Sequence, residues 1–160
     1  MKKINVLGVG AALVDQQFSI DDSLLKDLAL IKGSMDLKEQ ETQTQTYEKL
    51  VGLYGASQDA CGGSSTNTIY AAAILGSKCS FIGKVADDKN GRFYVENLNK
   101  ANIKNKCMSS DEGVSGNCLV MVSPDAERTM STFLGISSKL KVSDLDEEMI
   151  KEAEIVYLEA

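Results

Sequence analysis

A short run of glycines, hydroxyl side chains and an amide is the part of this sequence best suited to bind a polar ligand. It extends from Cys61 to Asn67 in the order Cys-Gly-Gly-Ser-Ser-Thr-Asn. Paired glycines indicate positive φ or the close approach of another group, and Ser, Thr and Asn accept hydrogen bonds well at helix starts. An alanine-rich apolar segment follows as far as Gly76, which predicts a helix that ends at this glycine.

The predicted helix is apolar on all sides, which indicates that it is buried. Its first backbone N–H groups would then point out of the core, toward whatever lies above Gly62 and Gly63. Such an arrangement suits a hydroxyl-rich or anionic ligand, to which the Asn67 amide could donate and from which it could accept. The same residues also fit a glycine turn followed by a capped core helix, because most helix N-termini bind only water.

Two charged residues could serve the same ligand. Asp15 lies just beyond a small-residue loop that follows the first apolar strand, and open parallel sheets bind ligands at the carboxyl ends of their strands. A carboxylate there can accept hydrogen bonds from neighbouring sugar hydroxyls, although an isolated Asp also serves as a helix or turn cap. Arg128 lies at the end of a predicted hairpin turn, where it could reach a phosphate or remain a solvated charge.

The residue types exclude several kinds of catalysis. The chain has no His, so it can form neither a Ser-His-Asp nor a Cys-His site. None of its four cysteines forms a C-x-x-C pair, so the pattern predicts no zinc site. Reduced cysteines are typical of a cytoplasmic protein, and we therefore expect that location.

The charge of the chain limits its partners. A net charge of −6 and a pI near 4.7 argue against nucleic acid and against anionic membranes. No apolar run approaches the roughly 18 residues of a membrane span. The sequence therefore predicts neither nucleic acid nor a membrane as a partner.

Two nucleotide-binding motifs are each incomplete in this sequence, because a required glycine is missing. Gly8 and Gly10 begin a dinucleotide fingerprint, but its third glycine would fall at Leu13. This departure disfavours a dinucleotide-binding oxidoreductase. The Gly83–Lys84 pair lacks the upstream glycine of a phosphate-binding P-loop, because position 78 is Lys78.

The elements that would hold these residues follow an α/β order. Besides the helix after Asn67, we expect strands at 4–9, 35–37, 79–85, 117–122, 129–134 and 155–158, and helices at 24–31, 38–54, 88–101 and 143–154. We expect Asp21, Asp22 and Ser23 to cap the helix at 24–31. Asp87 and Asp88 could be paired acids for metal or acid–base chemistry, but a cap of the helix that begins near Lys89 is the favoured role. The two strands at 117–134 form a hairpin with mixed faces, which indicates a partly exposed sheet. Because the chain ends on a new apolar strand, we expect it to be the N-terminal half of a longer protein.

Four segments in this order resemble the ribokinase-like (PfkB) carbohydrate kinase family, and within it the adenosine kinase-type and related bacterial sugar or nucleoside kinases. The segments are 8–15, 62–76, 83–91 and 116–129. The resemblance implies a doubly wound, mostly parallel α/β fold with a small β-sheet lid. It places the lid at about 16–20, 34–37 and 117–134, and it makes 1–160 the N-terminal part of a single kinase domain.

The resemblance also implies an activity, namely transfer of the ATP γ-phosphoryl group to a primary hydroxyl of an adenosine-like nucleoside or a small sugar, with Mg²⁺ as cofactor. It places Arg128 near the phosphates. The family's catalytic Asp belongs to a Gly-Ala-Gly-Asp motif that these 160 residues lack, so we expect the chain alone to be inactive. The implied substrate-binding residues are Asp15, Gly62, Gly63, Asn67 and Asn117.

A second interpretation is a non-catalytic homologue. Such a protein would hold a sugar or nucleoside, or dimerise through its lid, without transferring phosphate. An uncovered lid sheet also makes a homodimer through the lid a possible state of the kinase itself. The two interpretations differ in whether a Gly-Ala-Gly-Asp motif follows in frame.

Overall fold

The computed structural model describes residues 2–108 and 112–159. The chain divides into two compact units. One comprises Met1–Val14, Cys61–Gly116 and Leu134–Ala160, and the other comprises Asp15–Ala60 and Asn117–Phe133.

A parallel four-stranded sheet forms the centre of the first unit. Its order is β6-β5-β1-β9, and the pairings of β1 with β5, of β1 with β9 and of β5 with β6 are all parallel. The elements of this unit are β1 (Ile4–Val9), α3 (Ser64–Ile74), β5 (Cys79–Val85), α4 (Lys89–Lys100), β6 (Lys104–Met108), α5 (Glu147–Glu152) and β9 (Ala153–Leu158).

Apolar side chains cover both faces of this sheet. Phe81 packs with Ile69 of α3 and Tyr94 of α4 in one cluster. Its neighbour Ile82 points the other way and packs with Met149 of α5. Since a parallel strand between two helical layers is apolar on both sides, every residue of β5 is buried. The predicted doubly wound α/β class is confirmed.

A second sheet of five strands has the order β3-β8-β7-β2-β4. Helices α1 (Asp22–Asp27) and α2 (Gln40–Tyr54) supply Leu24 and Leu50 to a cluster with Phe18, Leu119 and Met121 of the sheet. One face of the sheet thus has an apolar core. The strands are β2 (Leu13–Ser19), β3 (Met35–Leu37), β4 (Gln58–Gly62), β7 (Ser115–Val122) and β8 (Arg128–Gly135).

The observed elements differ from the predicted ones in several places. The predicted helix at 143–154 is instead a 3₁₀ turn at Val142–Asp144 followed by α5, since pairing with β1 places Ala153 in β9. Strands β4 and β6 were not predicted, because neither sequence has a continuous apolar run or an alternation of apolar and polar residues. Side-chain capping by Asp21 at α1 is also absent.

Helix α3 is buried on one side only. Ile69 is fully buried, whereas Ile74 and Leu75 are 74% and 86% exposed. The prediction of a helix buried all round is therefore wrong. Much of its apolar character comes from Ala71, Ala72 and Ala73, and apolar atoms also cover much of a protein's surface.

Within the described ranges, no helix has the length and apolar character needed to cross a membrane.

Candidate functional site

The glycine pair joins a strand to a helix in the first unit. Gly62 is the last residue of β4, and Gly63 is the N-cap of α3, with a φ of 90°. A Cβ at Gly63 would collide with the carbonyl oxygen of Ala11. The predicted need for positive φ and close approach is confirmed at Gly63, and it is this glycine that lets the chain pass beside the loop after β1.

The start of α3 is not capped by a side chain. Gly63 provides none, and its carbonyl accepts the Asn67 N–H at 3.0 Å. The Ser65 hydroxyl is buried, with no hydrogen-bond partner among the described residues. The Thr66 hydroxyl bonds to that of Tyr94, while the Asn67 side chain is exposed. The helix start thus keeps donors and one buried hydroxyl for a ligand or water.

A cavity of about 620 Å³ lies in the same unit, at the carboxyl ends of β1 and β9. Val9, Gly10 and Ala11 line it from β1 and the following loop, and Leu158 and Glu159 line it from β9. Its position is the one at which open parallel sheets bind ligands.

Asp15 is a half-buried residue of strand β2 in the second unit. Burial raises the pKa of its carboxyl group, and the nearby charge of Arg128 offsets part of that increase. A strand residue caps no helix, so the alternative of a capping Asp is wrong. A carboxylate held partly out of water with a cation near it is suited to accept hydrogen bonds from ligand hydroxyls.

Cys118 and Thr132 lie on the side of the sheet that carries Asp15. The Thr132 hydroxyl donates to the Cys118 thiol at 3.3 Å. The charges of Asp15 and Arg128 both act on Cys118, whose pKa burial raises to about 11. We call the side of the sheet that carries Asp15, Cys118, Arg128, Met130 and Thr132 the Asp15 face.

The resemblance implies that Asn117 binds substrate, but its side chain points away from the Asp15 face. Its amide donates to Gln16 at 2.7 Å and accepts from Gln43 of α2 at 3.2 Å. Because successive strand residues point to opposite sides, this contact places Asn117 on the helix-covered side. The Asn117 side chain therefore does not lie on the Asp15 face.

The sequence could not identify the neighbours of Asp15. Alternation along 128–134 groups Met130 with Thr132, but it does not say which strand lies beside Asp15. The sequence also does not say to which side of the sheet Phe18 points. In the structure its ring packs on Tyr47 in the apolar core, at a centroid distance of 6.1 Å.

The acidic pair before α4 has a structural role. Asp88 is the N-cap of α4, and its carboxylate accepts the backbone N–H groups of Gly91 and Ser115, each at 2.8 Å. The predicted capping role is confirmed. In the described ranges, no three His, Cys, Asp or Glu side chains form a group that could hold a metal ion.

Comparisons with known proteins agree with this architecture. The profile of the pfkB family carbohydrate kinases matches residues 29–160. The adenosine kinase from Sinorhizobium meliloti superposes with a TM-score of 0.88 at 29% identity, over 98% of this chain and 47% of that one. A probable sugar kinase protein from Rhizobium etli gives a TM-score of 0.89 at 28% identity, over 99% and 47% of the two chains.

A curated relative is also a kinase. The 5-dehydro-2-deoxygluconokinase of Geobacillus kaustophilus is 28% identical over 148 residues, which cover 90% of this chain and 41% of that protein. The chain thus spans less than half the length of the relatives named here.

Proposed function

Because the chain belongs to the pfkB family of carbohydrate kinases, we propose that it is the substrate-binding part of an enzyme that transfers the γ-phosphoryl group of ATP to a primary hydroxyl. The substrate is an adenosine-like nucleoside or a small sugar. Its relatives include an adenosine kinase and a 5-dehydro-2-deoxygluconokinase, which is why both classes are retained.

The half-buried carboxylate of Asp15 carries the proposal. Of the proposed binding residues it is the one whose charge and partial burial suit it to a pair of substrate hydroxyls. Gly62, Gly63 and Asn67 are proposed to bind substrate through the start of α3. Arg128 is proposed to lie near the phosphates, because its side chain is exposed on the Asp15 face.

The second unit corresponds in this proposal to the lid of the family. Its strands β2, β3, β7 and β8 coincide with the segments expected at 16–20, 34–37 and 117–134. We assign the helix-covered side to the core of the lid and the Asp15 face to substrate.

ATP and Mg²⁺ are the proposed cofactors of the whole enzyme. The described residues contain no acidic cluster that could hold the ion, so none of them is assigned to Mg²⁺. No catalytic residue is assigned either, because the Gly-Ala-Gly-Asp motif is absent from the sequence.

Calorimetry on the complete protein tests the substrate assignment. We expect adenosine or 5-dehydro-2-deoxygluconate to bind, and Asp15→Asn to weaken that binding about 10- to 100-fold, since a hydrogen bond to a charged group contributes about 1.5–3 kcal/mol. Asp27→Asn is the matched control, because Asp27 is exposed at the end of α1. Unchanged affinity in Asp15→Asn contradicts the role of Asp15.

Exposed apolar residues on β3 favour a second candidate, a homologue that dimerises through its lid. Met35 and Leu37 are 55% and 61% exposed, and β3 is at the edge of its sheet. A second copy could cover them. Sedimentation of the complete protein tests this candidate. If the parent protein is a dimer through β3, Leu37→Glu should convert it to a monomer. A parent protein that is already monomeric excludes the lid dimer.

A further inference from the structure

A series of hydrogen-bonded polar side chains, buried except for the half-buried Asn117, lies on the helix-covered side of the second sheet and connects helix α2 with strand β2. Its centre is Gln43, which is 2% exposed. The Gln43 amide nitrogen donates to the carbonyl oxygen of Ser131 at 2.9 Å, to that of Asn117 at 3.3 Å and to the Asn117 side-chain oxygen at 3.2 Å. One helix residue thus bonds to two strands.

The hydrogen bonds of this series all run in the same donor-to-acceptor direction. The Ser131 hydroxyl donates to the Gln43 side-chain oxygen at 2.8 Å, Gln43 donates to Asn117, and Asn117 donates to the Gln16 side-chain oxygen at 2.7 Å. Each amide accepts at oxygen and donates at nitrogen, so the bonds polarise one another. Strands β8, β7 and β2 are connected in this way through one side chain of α2.

Each strand residue in this hydrogen-bonded series is adjacent in sequence to a residue of the Asp15 face. Gln16 follows Asp15, Asn117 precedes Cys118, and Ser131 precedes Thr132. Side chains alternate along a strand, so a shift of one residue would exchange the two sides. Asp15 would then point into the apolar cluster of Phe18, Leu50 and Leu119.

We propose that Gln43 is a positioning residue for the proposed substrate site, which acts through Asn117 and Gln16 to hold Asp15 on the substrate-facing side of the lid. The inference rests on the proposed function. Gln43 itself touches no substrate, because it is buried on the helix-covered side.

Packing alone does not explain why the buried residue at position 43 carries an amide. The site lies beside an apolar cluster in which a leucine or methionine would be the ordinary choice, and a polar group is retained there with its hydrogen bonds satisfied. The charged group that acts on the Asp15 carboxyl is Arg128 on the Asp15 face, and the charges of both residues act on the Cys118 thiol.

The test compares two substitutions on helix α2 of the complete protein. Gln43→Met keeps the length of the side chain and removes all its hydrogen bonds. Gln45→Met makes the same chemical change at an exposed position two residues away. Carbon-13 NMR of the Asp15 carboxyl gives its pKa without any ligand, and calorimetry gives the affinity for the substrate that the parent protein binds.

We expect Gln43→Met to move the Asp15 titration and to weaken substrate binding at least tenfold, while Gln45→Met changes neither. Ser131→Ala, which removes only the hydroxyl that donates to Gln43, should move both quantities in the same direction by less. If Gln43→Met does not fold, Ser131→Ala decides the question by the same two readouts.

Two negative results have different meanings. An Asp15 titration that is identical in the parent protein, Gln43→Met and Ser131→Ala overturns the positioning role, whatever the ligand does. A parent protein that binds none of the nucleosides or sugars overturns the proposed function instead, and the ligand-free titration still tests Gln43.

Discussion

The ammonium group of Lys84 lies 2.8 Å from the carboxylate of Asp144, and only 3% of the Lys84 side chain is exposed. Lys84 belongs to β5, the strand that is buried along its whole length. A charge in such a place is tolerated when it is paired and hydrogen-bonded, and the Lys139 carbonyl accepts a further bond from it at 3.4 Å.

We therefore expect Asp144→Asn to lower the melting temperature, because it replaces a charged acceptor of the buried Lys84 ammonium group with a neutral amide. The double variant Lys84→Met/Asp144→Asn should recover part of the loss, since Lys84→Met removes the buried charge itself. Thermal unfolding at pH 7 measures both. Equal melting temperatures for Asp144→Asn and the parent protein would show that the pair contributes nothing.

The same pair gives a pH dependence. The bond from Lys84, followed by the backbone N–H of Lys141, holds the pKa of Asp144 below its ordinary value of 3.8. Its contribution to stability is therefore present above pH 3.8 and lost as the pH falls through the lower folded-state pKa. The melting temperatures of the parent protein and of Asp144→Asn should therefore become equal in that acid range.

Gly63→Ala should destabilise the first unit. The positive φ of Gly63 costs an alanine about 1–3 kcal/mol, and the collision with the Ala11 carbonyl adds to that. Gly52→Ala is the control, because Gly52 lies inside α2 with open space at its Cβ position and should gain about 0.5–1 kcal/mol. Urea unfolding measures the difference, and equal effects of the two substitutions would contradict the strain at Gly63.

Asp88→Ala should lower stability by about 0.5–2 kcal/mol, the usual effect of losing an N-cap. Asp88 also accepts the Ser115 N–H, so the upper part of this range is expected. Asp87→Ala removes an exposed pair with Arg92 and should change stability by less than about 1 kcal/mol. Denaturant midpoints of the two variants compare these roles directly, and a larger effect at Asp87 would reverse the assignment.

Asp15→Asn should make the protein more stable at pH 7 while it loses substrate. Burial raises the folded-state pKa of Asp15 above 3.8, so its contribution to stability is present below pH 3.8 and is lost as the pH rises through the folded pKa. Asparagine carries no such charge. Melting curves should show a gain at pH 7 that disappears near pH 3, and a variant less stable at pH 7 would contradict it.

The buried thiols should resist alkylation. Burial raises the pKa of Cys107 to about 12 and that of Cys118 to about 11, and only thiolates react. Cys61 is half-buried and should be labelled first by iodoacetamide at pH 8. Mass spectrometry of the native protein measures the order in which the cysteines are labelled. Labelling of Cys107 as rapid as that of Cys61 would contradict the prediction.

Local patterns in the sequence determined the fold class and part of the site. The apolar run at 4–9, the positive φ of Gly63 and the bond of Asp88 to Gly91 depend on the residue itself or on neighbours a few positions away, because these steric and hydrogen-bonding requirements of the backbone are local. For that reason the strand, the turn and the cap could all be predicted.

Tertiary structure alone decided which side chains share a surface. Asn117 and Cys118 are adjacent in sequence, yet one bonds to Gln43 and Gln16 while the other lies on the Asp15 face. Strand alternation says that they point in opposite directions, but the pairing of β7 with its neighbours and the packing of α2 choose the direction for each. Those contacts join residues as far apart as 16 and 117, and no local pattern specifies them.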